Sequence, residues 1–531
     1  MEFDYVVVGA GSAGCALAAR LSEDPAISVC LLEAGPRDTH PLIHVPFGIL
    51  WLMHSRRLNW RYYTAPQGKL GGRRLFWPRG KTLGGSSSSN AMCYTRGHPA
   101  DYDAWRDQGN PGWGYADLLP HFRRAENRER GATEFHGSGG PLNVAPLRSP
   151  NPLSLAFVEA AASAGYRRND DFSGAEQEGV GLYEVTQVNG QRCSSARAYL
   201  RPAADRPNLA VLTRAQATRV LFQGRRAAGV TFRRDGAERS VAARREVILC
   251  GGAINSPQLL LLSGVGPGAE LQALGIPLIH DLPGVGRNLQ DHLDVMVVQA
   301  CKKPVSYGLT PRTVLRGLAD IARYVVSRRG MYTTNAAEAG GFVKSGAGET
   351  LPDLQFHFTT APLSNHGLDV KFLLQQGYSL HVCDLRPKSR GEIRLAGADP
   401  LAHPAIQPNY LADPQDQEKL VLGVKAARRI LAAPPFDPYR GAEIRPGPGV
   451  RSDEEIREFV RERAETIYHP AGTCRMGNDP MAVVDAELKV RGVERLRVAD
   501  ASIMPLLVGG NTNAPAIMIG EKAADLICSA R

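Results

Sequence analysis

Several features that would assign a function class at once are missing from the 531-residue sequence. Its nine cysteines (Cys15, Cys30, Cys93, Cys193, Cys250, Cys301, Cys383, Cys474 and Cys528) form no Cys-x-x-Cys pair. An odd, dispersed set reads as reduced thiols in a cytoplasm and not as a disulfide framework. No zinc-finger spacing is present, so no metal is expected. No apolar stretch approaches the roughly 18 residues of a spanning helix. No signal peptide precedes the first strand, because the chain runs directly into Phe3–Val8. No internal repeat is evident. Like charges never run to five or six in a row, and no RNA-binding motif occurs. The net charge of +10 and pI near 9.2 therefore imply no nucleic-acid partner. They read mostly as a basic surface, with peripheral contact to an anionic cytoplasmic membrane left open. The expected location is the cytoplasm, or the cytoplasmic face of that membrane.

Glycine (56) and proline (37) are plentiful, yet below the roughly 25–30% share that marks low complexity. Apolar residues make up 43% and charged residues 22%, the balance of a soluble globular enzyme. At roughly 100–200 residues per domain, two or three domains are expected.

The densest signal is at the amino terminus. Tyr5–Val8 is a β-branched run suited to a parallel strand buried on both faces. Gly9, Gly11 and Gly14 follow, then the helix Cys15–Leu21, a second strand Ser28–Leu32, and Glu33. Gly9 permits a tight turn, Gly11 a close approach to a pyrophosphate, and Gly14 close helix–strand packing. The helix amino terminus offers N–H groups and a positive dipole end to phosphate. Glu33 stands about 20 residues on, where an acid reaches a ribose hydroxyl. The strand, glycine turn, helix and acid together indicate dinucleotide binding. The remaining chain is far longer than a nicotinamide module needs, which favours FAD over NAD(P).

Gly80–Asn90 is dense in glycine and serine. Alone it would read as a linker, but Phe76–Pro78 and Met92–His98 flank it with complex sequence. Small residues let a flat ring or a phosphate lie against main chain. It is not a hydrolase elbow, because Ser88 occupies the final glycine position. Val247–Pro257 repeats the strand–glycine–helix order, with a helix expected over Gln258–Ser263. Leu282–His292 reads as a polar loop. Residues 300–460 carry strand-like stretches (Leu354–Phe358, Ser379–Cys383) and an amphipathic helix, Glu418–Ala432, and read as a separate substrate domain. Near the carboxy terminus, His469 sits on a small-residue turn, Leu496–Val498 is a strand leading to Asp500, and Gly509–Pro515 opens a helix over Ala516–Ile527.

In order, these motifs resemble the glucose–methanol–choline (GMC) family of flavin oxidoreductases over the whole chain. The stretches Cys30–Pro36, Phe76–Ala91, Gln187–Tyr199 and Ala464–Gly477 look like bacterial medium-chain alcohol dehydrogenases of alkane degradation, with choline dehydrogenases next. The resemblance implies a mixed α/β and α+β architecture: a Rossmann-like FAD-binding domain plus a substrate domain with an antiparallel sheet flanked by helices. It divides the chain into FAD-binding segments 1–155, 208–300 and 464–531 and substrate segments 156–207 and 301–463.

The resemblance also implies site roles. Cofactor contacts fall to Gly9, Gly11, Ser12, Ala13, Gly14, Glu33, Ala34, Gly84, Gly85, Ser86, Asn90, Ala91, Met92, Val220, Asp500, Ala501, Asn511 and Asn513. His469 matches the catalytic histidine and Asn511 its partner. An alcohol hydroxyl would lie between them, with His469 accepting the proton as hydride passes to the flavin. Ser89 stands where some members carry a histidine linked to flavin, so FAD is expected to be non-covalent. His98 and His292 read as structural or peripheral. Glu338 reads as a pocket acid or one half of a structural salt bridge. The implied activity is oxidation of a primary aliphatic alcohol to the aldehyde, with electrons passed to a quinone or other carrier. Choline oxidation, an oxygen-using oxidase and a non-redox hydroxynitrile-lyase activity are the alternatives. No aromatic cage for a quaternary ammonium is visible in the sequence.

Overall fold

The structure is a computed structural model that describes residues 1–367 and 369–529. The apolar run at the amino terminus forms the middle of a first sheet. Strand Glu2–Val8 pairs in parallel with Val29–Leu32 on one side and with the end of Ala237–Leu249 on the other. Leu209–Leu212 and Leu496–Val498 extend the parallel part at its two edges. Val29–Leu32 and Leu496–Val498 are buried throughout, as a parallel strand covered on both faces requires. The long strand Ala237–Leu249 serves two structures. Its second half completes the parallel part, and its first half pairs antiparallel with Arg226–Arg234, which in turn pairs with Gln216–Gln223.

Two helices cross beside this sheet, Ser12–Leu21 and Asn513–Ser529. Gly520 lies against the Ala13 main chain, where a Cβ would collide. Arg20 joins them further along, pairing with the fully buried Glu521 at 2.9 Å.

The second sheet is antiparallel. Its order is Arg440–Arg445, Leu293–Cys301, Gly377–Asp384, Leu354–Thr359, Ala337–Val343 and Gly179–Leu182, with Glu465–Thr466 also pairing with Leu293–Asp294. Helices Pro152–Ser163 and Pro414–Leu431 cover one face and share a core with it. From the other face Asp294, Met296, His357, Thr359 and His381 look into a large cleft. Among the described residues, no helix is long and apolar enough to cross a membrane.

Helices begin earlier than their apolar patterns suggest. Those expected at Cys15, Gln258, Glu418 and Ala516 start at Ser12, Gly252, Pro414 and Asn513. First turns are built from small and polar residues that satisfy free N–H groups or leave room for a ligand, so hydrophobic periodicity does not register them. The helix Gly252–Leu262 also contains Pro257. Proline cannot donate to the carbonyl of Ala253, and the Thr473 hydroxyl donates to that carbonyl instead, at 2.7 Å.

The division expected at residue 300 cuts the strand Leu293–Cys301, which lies wholly in the antiparallel sheet. Residues 293–300 therefore belong with the second sheet. No break is visible at residue 293 because the strand follows a polar loop without a change in composition.

Candidate active site

The parallel sheet delivers a cluster of glycines to one end of the cleft. Gly9 turns with φ +104°, and a Cβ there would lie 2.5 Å from the Cys250 carbonyl oxygen. Gly14 packs against the Gly9 carbonyl with no room for a side chain. A Cβ on Gly85 would lie 2.8 Å from the Gly11 Cα, so the first two glycine loops touch. Ser12 and Asn513 open their two helices and are joined by a hydrogen bond from Ser12 Oγ to Asn513 Oδ1 at 2.8 Å. Two positive helix ends thus face the same region.

Glu33 ends its strand and turns inward. Its carboxylate accepts from the Gly35 and Ala10 amides at 2.7 and 3.0 Å. Burial pushes its pKa up to about 7, against those bonds and Lys81. Asp500 accepts from Gly252 N, Ser256 Oγ and Ser502 N at 2.8, 2.6 and 2.8 Å. It ties the third glycine turn to the carboxy-terminal segment.

At the other end of the cleft, His469 and Asn511 meet: Asn511 Nδ2 lies 3.2 Å from His469 Nε2. Protonation of the ring follows from its neighbours. His292 Nε2 lies 3.2 Å from the Leu385 carbonyl. A carbonyl only accepts, so this nitrogen carries the proton. Neutral His292 then has a lone pair on Nδ1, 3.0 Å from His469 Nδ1. His469 must donate there, which leaves its own Nε2 as a lone pair directed at Asn511. The amide orientation agrees: Asn511 Oδ1 accepts from Gln355 Nε2 at 3.0 Å and from the Thr95 hydroxyl at 3.4 Å. Its Nδ2 donates to His469 and also faces His357 Nε2 at 3.4 Å.

Two imidazoles, His469 and His357, therefore face one amide, a third, His292, backs His469, and burial keeps all three neutral. It pulls the pKa of His292 and of His357 down to about 3. His469 falls well below the ordinary histidine value, by burial first and then by the cost of adding charge beside His292, His357 and the Arg79 cation.

The His469 turn is strained and held. Tyr468 has φ +73°, a left-handed conformation that costs a bulky residue about 1–3 kcal/mol. Arg79 Nη1 donates to the Tyr468 carbonyl at 2.9 Å. On the far side the His469 amide donates to Asp291 Oδ1 at 2.7 Å. Asp291 also accepts from Thr466 Oγ1 at 2.6 Å and from the Tyr410 hydroxyl. Burial pushes its pKa up to about 6.

The antiparallel sheet adds further side chains. Met296, His381 and His357 lie opposite one another across three strands. His381 Nδ1 bonds Asp294 Oδ2 at 2.7 Å, and its pKa rises because Asp294 outweighs burial. Glu465 lines the same space, its pKa pushed up to about 7 by burial and the neighbouring Asp294. Ile49, Leu50, Met53, Leu363 and Ile467 supply apolar lining. Among the described residues, no group of acids, histidines or cysteines is arranged to hold a metal.

One continuous cleft joins the two ends. Of the residues singled out in the sequence, Gly9, Gly11, Ser12, Ala13, Glu33 and Ala34 line it, as do Gly85, Ser86, Asn90, Ala91 and Met92. Asp500, Ala501, Asn511, Asn513 and His469 line it too.

The chain matches the family model described as GMC oxidoreductase over residues 3–294 and, for its carboxy-terminal part, 387–520. It is 53% identical to alcohol dehydrogenase [acceptor] of Pseudomonas putida, over 99% of this chain and 95% of that protein.

The chain belongs to the GMC oxidoreductase family.

This oxidoreductase is also 48% identical to the mitochondrial choline dehydrogenase of Homo sapiens, over 99% of this chain and 90% of that one. Pyridoxine 4-oxidase from Mesorbium loti superposes with a TM-score of 0.90 at 35% identity, covering 98% of both chains. A formate oxidase from Aspergillus oryzae RIB40, studied for FAD modification, superposes at 0.93 and 29% identity, covering 100% of this chain and 98% of that one.

The cofactor of the family is FAD, and the residues here fit it. The glycine turns leave main chain bare where side chains would collide, two helix ends converge on that place, and the cleft runs from Glu33 to His469 without interruption.

Three expected contacts are absent from the cleft lining. Gly14 and Gly84 are spent on packing and on a left-handed turn (φ +85° at Gly84). Val220 is buried in the core, its amide bonded to Ser263 Oγ at 2.8 Å; Gln216 and Ala217 of the same strand line the cleft instead. Glu338 is not among the cleft-lining residues and has no salt-bridge partner among the described residues. It is buried away from the cleft and accepts from Asn151 N, Ser154 Oγ and Thr334 Oγ1 at 2.7, 2.8 and 2.6 Å. His98 caps the helix Pro99–Asp107, accepting from Ala100 N at 3.1 Å. His292, read as structural or peripheral, instead sets the tautomer of His469.

His357, Gln355, Thr95 and Asp291 escaped the sequence reading. Asp291 and His292 had a signal, as the last two residues of the loop Leu282–His292, read as rich in polar side chains. His357 and Gln355 had none, because one strand looks like another until the sheet is assembled.

Proposed function

We propose that this oxidoreductase converts a primary aliphatic alcohol of medium chain length to the aldehyde and passes the electrons to a quinone or similar carrier. The observation that carries the reading is the unprotonated Nε2 of His469 presented beside the Asn511 amide. An alcohol hydroxyl placed between them gives its proton to His469 Nε2 and receives a hydrogen bond from Asn511 Nδ2, which stabilises the developing alkoxide. Bound FAD supplies the acceptor for the α-hydrogen and its two electrons. His469 Nδ1–H stays on His292 throughout, so the ring keeps its orientation as it charges. Burial excludes water from the exchange.

Cofactor contacts are assigned to the cleft-lining residues named above, with Asn513 and the start of the last helix at the electron-rich end of the flavin. Ser89 lines the cleft and is no imidazole, which supports a dissociable flavin. The FAD-binding part is assigned to residues 1–155, 208–292 and 464–531.

Choline is the second reading, favoured by the carboxylates Asp294 and Glu465 in the cleft. Asp294 is already paired with His381, and burial raises the Glu465 pKa to about 7, so near neutrality it carries only part of a negative charge. Less free negative charge is left to hold an ammonium group than two carboxylates suggest, and Ile49, Leu50, Met53, Leu363 and Ile467 add apolar lining.

Anaerobic titration of the oxidised holoenzyme tests both readings. Stoichiometric octanol is expected to bleach the flavin absorbance, with choline giving less than about a tenth of that rate. Bleaching by choline alone overturns the substrate assignment, and aldehyde formation without bleaching overturns the redox reading. Acid precipitation is expected to release the yellow colour into solution; colour retained in the pellet overturns the non-covalent assignment.

A further inference from the structure

The helix Pro311–Ser327 wears its apolar side outward. Its inner face is narrow, made by Thr313, Gly317 and Tyr324, all buried. The opposite side presents Val314, Leu315, Leu318, Ile321, Val325 and Val326 to solvent, with Leu315 67% and Val326 86% exposed. These positions recur at spacings of three and four, so they form one continuous stripe. Leu309 and Leu374 stand exposed at its amino-terminal end, where the Leu309 amide bonds the Leu373 carbonyl. A contiguous apolar surface of this kind is uncommon on a protein with nothing to cover it.

The charges around the stripe say what covers it. Arg312, Arg316 and Arg323 fall together along one edge of it, by the helical period. Lys302 and Lys303 precede the helix, and Arg328 and Arg329 follow it. The single acid of the helix, Asp320, is turned inward and accepts from the Met331 amide at 3.1 Å. It also lies 3.8 Å from Arg323 Nη1 and offsets part of that charge, so the cations of this segment outnumber a single acid. An apolar stripe with an arginine-rich edge is the arrangement of a helix lying in the headgroup layer of an anionic bilayer.

We propose that Pro311–Ser327 docks this protein on an anionic lipid surface, its apolar stripe in the acyl boundary and its arginines among the headgroups. A short chain of rings joins this helix to the cleft lining. Tyr324 on the inner face of the helix packs near Tyr332 at 6.0 Å, and Tyr332 meets Phe47 at 5.7 Å. Phe47 leads directly into Ile49, Leu50 and Met53, which line the cleft. The proposal rests on the surface alone and holds whichever alcohol is the substrate.

Flotation of the holoenzyme with vesicles tests it. Vesicles of phosphatidylcholine with 30% phosphatidylglycerol are expected to carry the wild-type protein at least tenfold more than pure phosphatidylcholine, and salt at 0.5 M should reverse most of that gain. The double variant Leu315→Glu/Val326→Glu is expected to lose vesicle binding at least tenfold. Its flavin content, melting temperature and turnover with a water-soluble acceptor should match the wild type. The milder pair Arg312→Gln/Arg323→Gln should lose the preference for anionic vesicles and keep flavin. Wild-type protein that stays at the bottom of the gradient with anionic vesicles overturns the proposal, and so does a folded Glu/Glu variant that floats as well as wild type. Light scattering separates the competing occupant: a wild-type dimer that the Glu/Glu variant converts to monomer, without vesicle binding, would assign the stripe to a second copy of this chain.

Discussion

The two sheets border the same cleft with different materials. The parallel sheet offers main chain: glycine turns and helix ends, with side chains removed so that backbone can approach. The antiparallel sheet offers side chains: His357, His381, Asp294 and Met296 on one face, with Gln355 held against Asn511. The first half is suited to holding a large anionic cofactor, whose phosphates need N–H groups. The second half is suited to shaping a small substrate and tuning protons. His469 and Asn511 stand at the seam, reached from the first half, backed by His292 just before the second sheet begins, and faced from that sheet by His357.

This contrast makes a separable prediction. Changes at the seam and on the antiparallel side should lower turnover with flavin content intact; changes in the glycine turns should lower flavin content first. The largest effect is expected at the seam. His469→Ala removes the base and should cut kcat by about 10²–10⁴-fold, read by stopped-flow flavin reduction at a normal flavin-to-protein ratio. A variant that loses flavin in parallel would break the contrast.

Gly9→Ala comes next. Adopting φ +104° costs a non-glycine residue about 1–3 kcal/mol, and the added methyl also meets the Cys250 carbonyl. The expected outcome is a lower melting temperature and purified protein depleted of flavin. Normal flavin occupancy would show that the turn is not shaped for the cofactor.

His292→Leu removes the acceptor of the His469 proton. By comparison with other partners that orient an imidazole, turnover should fall by about 10–100-fold. The two-state tautomer of His469 is then free, so part of the loss should appear as an altered pH profile while KM changes little. A loss confined to stability would reduce His292 to a packing residue.

The pH dependence sharpens the same point. The His469 pKa is depressed by burial first and then by the neighbouring His292, His357 and Arg79, so the base form persists below the ordinary histidine range near pH 6.5. The acid limb of kcat/KM should therefore lie below pH 6.5; activity lost on acidification through pH 7 would contradict the buried neutral cluster. The same depression has a stability consequence. The unfolded chain binds protons on these histidines below about pH 6.5 while the folded one does not, so their burial costs stability increasingly as pH falls.

Glu338→Gln should have the smallest effect on activity. Three donors point at this carboxyl, and an amide can accept from only part of them, so a stability loss of about 1 kcal/mol is expected. Turnover should be unchanged, because Glu338 lies outside the cleft lining.

The legibility of the molecule followed the same divide. The Gly9–Gly14 turn and Glu33 were readable because strand, glycine, helix and acid there are consecutive or a fixed distance apart; Asp500 and Asn513 were named only through motif resemblance. His469 and Asn511 were readable only through motif resemblance. His357, Gln355 and Thr95 were not readable at all, since each lies more than a hundred residues from Asn511. Glu338 was misread for the same reason. Its neighbours in sequence suggested a pocket, while the fold brought two donors, Asn151 and Ser154, from far along the chain to join the nearby Thr334.

The sequence by itself determined the cofactor end, because glycine, helix polarity and strand burial are properties of short segments. It also determined that the chain would be basic and rich in turns. Which face of the antiparallel sheet looks into the cleft, which nitrogen of His469 carries the proton, and which side of the helix Pro311–Ser327 is left in water were decided only by tertiary structure. Each depends on the register of strands or on a partner brought from far along the chain, and a local pattern contains no information about that partner.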